Sequence, residues 1–413
     1  MNRVLIYRKA RYLATNAGGP DGYLSHLKLG LGALDQPPLG ADFIGEAPIQ
    51  TKPATPPTQA AHPIVAALGD LRRNLTSRIH LLTGFPRKLD PFFYRSKGPD
   101  EETLAALRTH DVVHVHFTRD ADVLLRLREA GRWSGKIILS SHSPETPALE
   151  MAATLKPKHY CGRYYEYLEK ALLERDLAAF RGADAWIFPS EGAMEPYHQT
   201  LPGFTELAKH KTVRFLPTGI RAKDRPAQEA VSARRIAPPG ALQIAFVGRH
   251  ESVKGYDLFV EAALRFLDEH PSAHVVCAGT GPLPPPSHPR WHELGRINDV
   301  HALMAASDLF VLPNRRTYYD LVLIEALAAG IPVLATATGG NRDVAAQCEA
   351  VRLAPPDADG LFAGMRAVAD LPASERERLR GVARAHYENA HTETRFAGAY
   401  LDTLRSLFDE LSR

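Results

Sequence analysis

Residues 308–336, DLFVLPNRRTYYDLVLIEALAAGIPVLAT, carry the pattern that decides the fold. DLFVLP (308–313) and IPVLAT (331–336) are apolar runs of strand length, and the segment between them is long enough for a helix. Strands that are apolar at almost every position are buried on both faces, which is the habit of parallel sheets covered by helices. The same alternation continues outward. LQIAFVG (242–248) and HVVCAG (274–279) are two further runs of this half, with the helical segment YDLFVEAALRFLDEH (256–270) between them. In the first half the matching runs are VLIY (4–7), DVVHVHF (111–117), KIILSS (136–141), AWIFPS (185–190) and TVRFLP (212–217). Two such blocks predict two doubly wound α/β domains of Rossmann type. The break falls near 217–240, where PTGIRAKDRPAQEAVSARRIAPPG interrupts the pattern with proline, glycine and charge. The expected domains are therefore 1–217 and one beginning at 218.

Length and composition agree. A chain of 413 residues exceeds one ordinary core, and 45% apolar with 23% charged residues is a globular balance. Fifty Lys and Arg against 47 Asp and Glu give a formal charge of +3, which predicts no nucleic-acid partner. The basic excess lies in residues 1–215, with 28 basic against 23 acidic side chains. Cys161, Cys277 and Cys348 are odd in number and far apart, which points to a reducing compartment and no disulfide frame. Val4 to Tyr7 is too short an apolar run for a signal peptide, and no run of roughly 18 apolar residues occurs to span a membrane. A cytoplasmic protein is expected.

Two segments break the alternation. Residues 35–63 hold seven prolines and few core formers, so they are expected as a long loop, either a plain surface loop or a lid that touches an acceptor. Residues 68–97 place Leu68, Leu71, Leu75, Ile79 and Leu82 on one helical stripe, and from residue 71 on they set Arg72, Arg73, Arg78, Arg87, Lys88, Arg95 and Lys97 against the single acid Asp90. The stripe is either a helix packed on its own core or a peripheral docking surface for an anionic membrane.

Ligands of open parallel sheets bind beyond the carboxyl ends of the strands, so the residues there carry the functional reading. After the first strand, Gly18 and Gly19 precede a helix, where backbone can approach an anion closely. After LQIAFVG, Gly248 and Arg249 are followed by Lys254 and Gly255; a forked guanidinium and an ammonium at a helix entrance suit a diphosphate. Glu325 sits in the nearly all-apolar LVLIEAL helix, and a carboxylate buried there needs partners, either a structural cation or a ligand's hydroxyls. There is no G-x-G-x-x-G after the first strand and no P-loop motif anywhere, which argues against NAD and against P-loop phosphate binding.

With GGP (18–20), DVVHVH (111–116), SSH (140–142), ADAWIFPS (183–190), LPTGI (216–220), FVGRHESVKG (246–255), AGTGP (278–282), ELGRINDV (293–300) and LVLIEALAAGIPVLATATGG (321–340) in this order, the chain resembles glycosyltransferase family 4 over nearly its whole length. The resemblance implies the GT-B fold, with two facing Rossmann-like domains, a nucleotide-sugar donor held mainly by residues 218–390, an acceptor held mainly by 1–217, and a last helix (391–413) crossing back onto the first domain. It implies that Arg249 and Lys254 hold the donor diphosphate, that Glu325 holds the ribose hydroxyls, and that Gly18 and Gly19 touch the diphosphate from the first domain. It further implies that His116 approaches the donor sugar, that His142 and, beside it, Glu145 face the acceptor side, that Gly248 binds the donor, that Gly279 and Gly281 form the turn below the nucleotide, and that Arg296 lies at the base. The family's usual Glu eight residues before Glu325 is Thr317 here, the small residue three places on is Asp320, followed by Leu321, and the interdomain PNG-(I/V)-D is PTGIR. Asp320 is expected either to supply the sugar contact that Thr317 cannot, or to cap the helix.

The activity so implied is retaining transfer of a hexose from a UDP- or GDP-linked sugar to a glycan or lipid-linked acceptor, as in bacterial surface polysaccharide synthesis. No metal or other cofactor is expected. The strings Asp120-Ala121-Asp122 and Asp357-Ala358-Asp359 are read as surface decoys rather than metal ligands. The alternative is a non-catalytic partner that binds nucleotide sugar or glycan, to which the missing Glu at Thr317 belongs.

Overall fold

The computed structural model describes residues 3–7, 13–14, 19–35, 40–43, 49–50, 99–155, 162–221 and 224–411. Gly18, Cys161, the stripe 68–97 and most of the proline-rich segment lie outside the described residues.

Fourteen strands are described. β1 (Arg3–Tyr7), β3 (Gly40–Phe43), β5 (Val112–Val115), β6 (Lys136–Leu139), β7 (Ala185–Phe188) and β8 (Thr212–Phe215) form one sheet in the order β3-β1-β5-β6-β7-β8. β9 (Gln243–Val247), β10 (His274–Ala278), β11 (Trp291–Glu293), β12 (Leu309–Leu312), β13 (Val333–Thr336) and β14 (Val351–Ala354) form the second, in the order β11-β10-β9-β12-β13-β14. A two-residue pair, β2 (Leu13–Ala14) with β4 (Ile49–Gln50), stands apart. Every pairing in both sheets is parallel. The two doubly wound sheets of the GT-B expectation are therefore present. One expectation is corrected. Residues 40–43 inside the proline-rich segment are no loop but the edge strand β3, paired from Arg3↔Gly40 to Ile6↔Phe43. An edge place suits a short strand flanked by prolines, because only one side needs ladder partners.

Alternate residues of each strand serve opposite faces, as the pleat requires. From β1, Leu5 and Tyr7 join Val113, Val115, Ile137, Leu139, Trp186 and Phe188 on one face. Val4 and Ile6 join Val112, Ile138 and Ile187 on the other. That second face is covered by the helix Gly19–Gly32 and by the last helix, Glu393–Leu411, through Phe396, Tyr400, Leu401, Leu404 and Phe408. The second sheet repeats the arrangement, with Ala245, Phe310, Leu312, Val333 and Ala335 on one face and Ile244, Phe246, Val275, Cys277 and Val311 on the other.

The chain passes between the sheets twice, and the two passages lie side by side. Ile220 bridges to Thr392, the Ile220 amide donates to the His391 carbonyl at 2.8 Å, and His391 Nδ1 lies 3.0 Å from the Thr218 carbonyl. Burial pushes the His391 imidazole down to about 4.

Candidate functional site

In both sheets the strand order reverses at an inner strand pair, β1/β5 in the first and β9/β12 in the second. At such reversals loops part and leave a crevice. A cavity of about 870 Å³ opens there, walled by both domains.

The wall from the second sheet begins where β9 ends. Gly248 and Arg249 line it, with Arg249 two-thirds exposed and paired to Glu251 at 2.9 Å. Gly279, just past β10, stands at φ +145°, and a Cβ there would lie 1.8 Å from the Gly248 carbonyl oxygen, so the two turns meet only because this residue has no side chain. Thr280 continues the wall and Gly281 lies outside it, while Arg296 lines it as an exposed side chain. After β12, Asn314, Thr317, Asp320 and Leu321 complete this side, at the start of the helix Leu321–Ala329.

Asp320 is gripped from three sides. Lys254 Nζ lies 3.1 Å from its Oδ1, while Asn314 Nδ2 and Thr317 Oγ1 both donate to its Oδ2. It occupies the N-cap position, yet its side chain makes no capping hydrogen bond. The capping expectation is thereby corrected: the carboxylate turns to Lys254 and the loop instead of to the helix amides. Glu325 is corrected as well, being half-buried and not fully buried. It shares the less buried helix face with Leu321, Val322 and Ala329, one turn beyond the cavity wall. Neighbours in sequence were a poor guide because a helix sends Leu323, Ile324, Ala326 and Leu327 into the core and position 325 elsewhere.

The wall from the first sheet is made of rings and short polar groups. Gly19 lines it at φ +65°, with nothing within 4 Å of a hypothetical Cβ, and Tyr23 follows on the same helix. His142, Ser143 and Phe117 come from the ends of β6 and β5. His116 is 1% exposed and lies behind His142, its Nδ1 3.0 Å from His142 Nε2. Of the two histidines, His142 faces the cavity. Behind them His114 bonds to Tyr400 Oη at 3.0 Å and Ser140 Oγ at 2.9 Å, and burial, with His142 nearby, pushes its imidazole down to about 3.

Sequence reasoning missed Glu150. It stands on the helix Pro147–Leu155, lines the cavity and accepts from Ser143 Oγ at 3.2 Å. Desolvation raises its carboxyl above the usual range, opposed by the Ser143 hydrogen bond, reinforced by Glu145 and opposed by Arg249 across the cleft. Asn314 was missed too, although its place directly after a strand at the reversal point was the signal that could have found it. Glu145 is outside the wall and pairs with Arg316 of the other domain.

The Asp-x-Asp strings have other duties. Asp122 pairs with Arg126 at 3.0 Å, Asp357 caps its helix through the Gly360 amide at 2.7 Å, and Asp359 pairs with Arg265 at 2.6 Å. Asp120 is 8% exposed, so it is buried and not on the surface. Among the described residues no helix is long and apolar enough to cross a membrane.

Residues 241–370 match the family described as Glycosyl transferases group 1. Among curated relatives, the D-inositol 3-phosphate glycosyltransferase of Salinispora arenicola is 27% identical over 264 residues, which is 58% of this chain and 56% of that protein. The chain thus spans about half the length of that relative. Among solved structures, the sucrose-phosphate synthase of Thermosynechococcus elongatus superposes with a TM-score of 0.62 at 19% identity, covering 99% of both chains. HepE of Anabaena in complex with UDP superposes with a TM-score of 0.61 at 14% identity, covering 98% of this chain and 100% of that one. Residues 241–370 thus match a group 1 glycosyltransferase domain, in a chain whose two parallel sheets share the GT-B fold of these solved structures.

Proposed function

We propose that this chain is a retaining glycosyltransferase that moves a hexose from a UDP- or GDP-linked donor to a glycan or lipid-linked acceptor. The observation that carries the reading is the division of the cavity. One wall gathers Arg249, Lys254, Arg296 and the uncapped start of the helix Leu321–Ala329, and the other offers rings, hydroxyls and Glu150. Departure of a nucleoside diphosphate builds negative charge on the leaving phosphate, and fixed cations with helix-end amides stabilise such charge most where water is excluded. With those groups in place the chemistry has no need of a metal. The departing phosphate oxygen accepts the proton of the acceptor hydroxyl on the same face, which gives retention at the anomeric carbon. Glu325, one turn beyond Leu321, holds the ribose, and His142 stands nearest the sugar, with His116 behind it. The acceptor lies against Tyr23, Ser143 and Glu150.

HepE, whose fold this chain shares, was solved with UDP, which supports a nucleotide donor. We place the reaction at the cytoplasmic face of a bacterial membrane, in surface polysaccharide synthesis, with residues 68–97 as the segment that meets anionic lipid. The test is incubation with a panel of nucleotide sugars and lipid-linked or glycan acceptors, in the presence of chelator, with nucleoside diphosphate release followed in time and the product anomer read by NMR. Release with retained configuration supports the proposal. Binding of donor without release from any donor–acceptor pair would instead establish the non-catalytic partner.

A further inference from the structure

We infer that Asp320 is a built-in counter-ion of the diphosphate site, and that it makes the cavity prefer an intact nucleotide sugar over the free nucleoside diphosphate left after transfer. The inference rests on the cavity being a nucleotide-sugar site.

The geometry is particular. Lys254 is a cation placed for an incoming phosphate, yet a carboxylate 3.1 Å away already holds it. Both side chains are mostly enclosed, at 27% and 12% exposure, so the pair is weakly screened and an anion must compete with Asp320 for Lys254. The carboxylate cannot swing far, because Asn314 Nδ2 and Thr317 Oγ1 both hold Oδ2. Nor does it serve the helix it precedes, since it makes no capping bond. When a phosphate draws Lys254 away, Oδ1 is left with two vacant lone pairs facing the cavity, next to whatever is esterified to that phosphate.

A nucleotide sugar answers that vacancy with a hydroxyl; a free nucleoside diphosphate does not. The first ligand exchanges one charge-assisted contact for another. The second leaves an enclosed carboxylate beside phosphate oxygens, a like-charge contact with nothing to offset it. Once the sugar has left, Asp320 recaptures Lys254 and the diphosphate is expelled.

The experiment is calorimetric titration of the full chain and of Asp320→Asn and Asp320→Ala with UDP, GDP and ADP, and with UDP-glucose and GDP-mannose, after melting curves confirm folding. Asn keeps an acceptor for Asn314 and Thr317 and turns an amide toward Lys254; Ala removes the group outright and serves if the Asn variant does not fold. The expected result is nucleoside diphosphate binding about tenfold tighter than wild type, with no such gain for the nucleotide sugar, so that the ratio of the two affinities falls by about tenfold or more. Product inhibition should deepen in parallel. If the wild type binds a nucleotide and a folded variant leaves that ratio unchanged, the counter-ion role is overturned while the donor site stands. If neither wild type nor variants bind any of the five compounds, the donor-site reading falls and this inference with it.

Discussion

The two walls of the cleft come from sheets of the same construction and yet are built from different chemistry. The second sheet contributes charges at its strand ends: Arg249, Lys254, Arg296 and Asp320. The first contributes Tyr23, Phe117 and His142, with Glu150 as its carboxylate. The second sheet's wall also lies within the segment that matches a family description, residues 241–370. The difference teaches that a fold repeated twice need not divide its chemistry evenly. A diphosphate demands fixed charge at set positions, whereas a polyhydroxyl acceptor can be held by many combinations of ring and hydroxyl.

The largest test of that contrast uses the two glycines that line opposite walls. Gly279→Ala must push a Cβ into the Gly248 carbonyl at a φ hostile to side chains, and should destabilise the protein by about 3 kcal/mol or more. Gly19→Ala meets open space, and only its positive φ opposes it, at about 1 kcal/mol. Equal losses in denaturant unfolding would mean the two walls are equally tight. Next, Lys254→Ala should lower turnover by roughly 100-fold, and should cost about 1–2 kcal/mol of stability because the enclosed Asp320 loses its cation. A variant that keeps wild-type turnover would remove the charged wall from the mechanism.

The third test is acid. His114 on β5 of the first sheet and His391 at the crossing are held at about 3 and about 4, below the unfolded value near 6.5. Their contribution is therefore complete above pH 6.5 and is lost as pH falls toward those values, by about 2 kcal/mol each at pH 5. His391→Asn should flatten part of the slope of melting temperature against pH; an unchanged slope would refute the assignment. On the first sheet's wall, His142→Ala should cost about tenfold in turnover, less than Lys254→Ala, since it removes one ordinary hydrogen-bonding ring. If it costs more, the ring wall carries the chemistry. The smallest effect is expected for Arg316→Ala, whose ion pair with Glu145 joins the domains at a partly exposed site, at under about 1 kcal/mol by melting.

The sequence made the strand runs legible because a strand buried on both faces leaves a continuous apolar signal, as AWIF (185–188) does. β3 escaped because Gly40 and Asp42 in an edge strand need no such run. Within the site, Arg249 and Lys254 were readable as local turn chemistry, and Gly279 only through the family resemblance. The grip of Asn314 and Thr317 on Asp320 was not, although all three lie within seven residues, because the direction of an N-cap side chain is decided by Lys254, 66 positions away. Glu150 gave no local sign at all: its meaning comes from facing Arg249 across a cleft that only the folded chain creates.

The helix Glu393–Leu411 has a consequence for how the first domain closes. The two larger cores of the second domain draw on residues 220 to 387 and include nothing from the first strand or the last helix. The first domain differs: Val4 and Ile6 of β1 share a core with Phe396, Tyr400, Leu404 and Phe408, hundreds of residues away along the chain. Closing that core therefore needs contacts of very high sequence separation, the kind that form late because the intervening loop must be closed first. A chain cut before residue 393 would leave much of that apolar sheet face uncovered, an exposed patch prone to association.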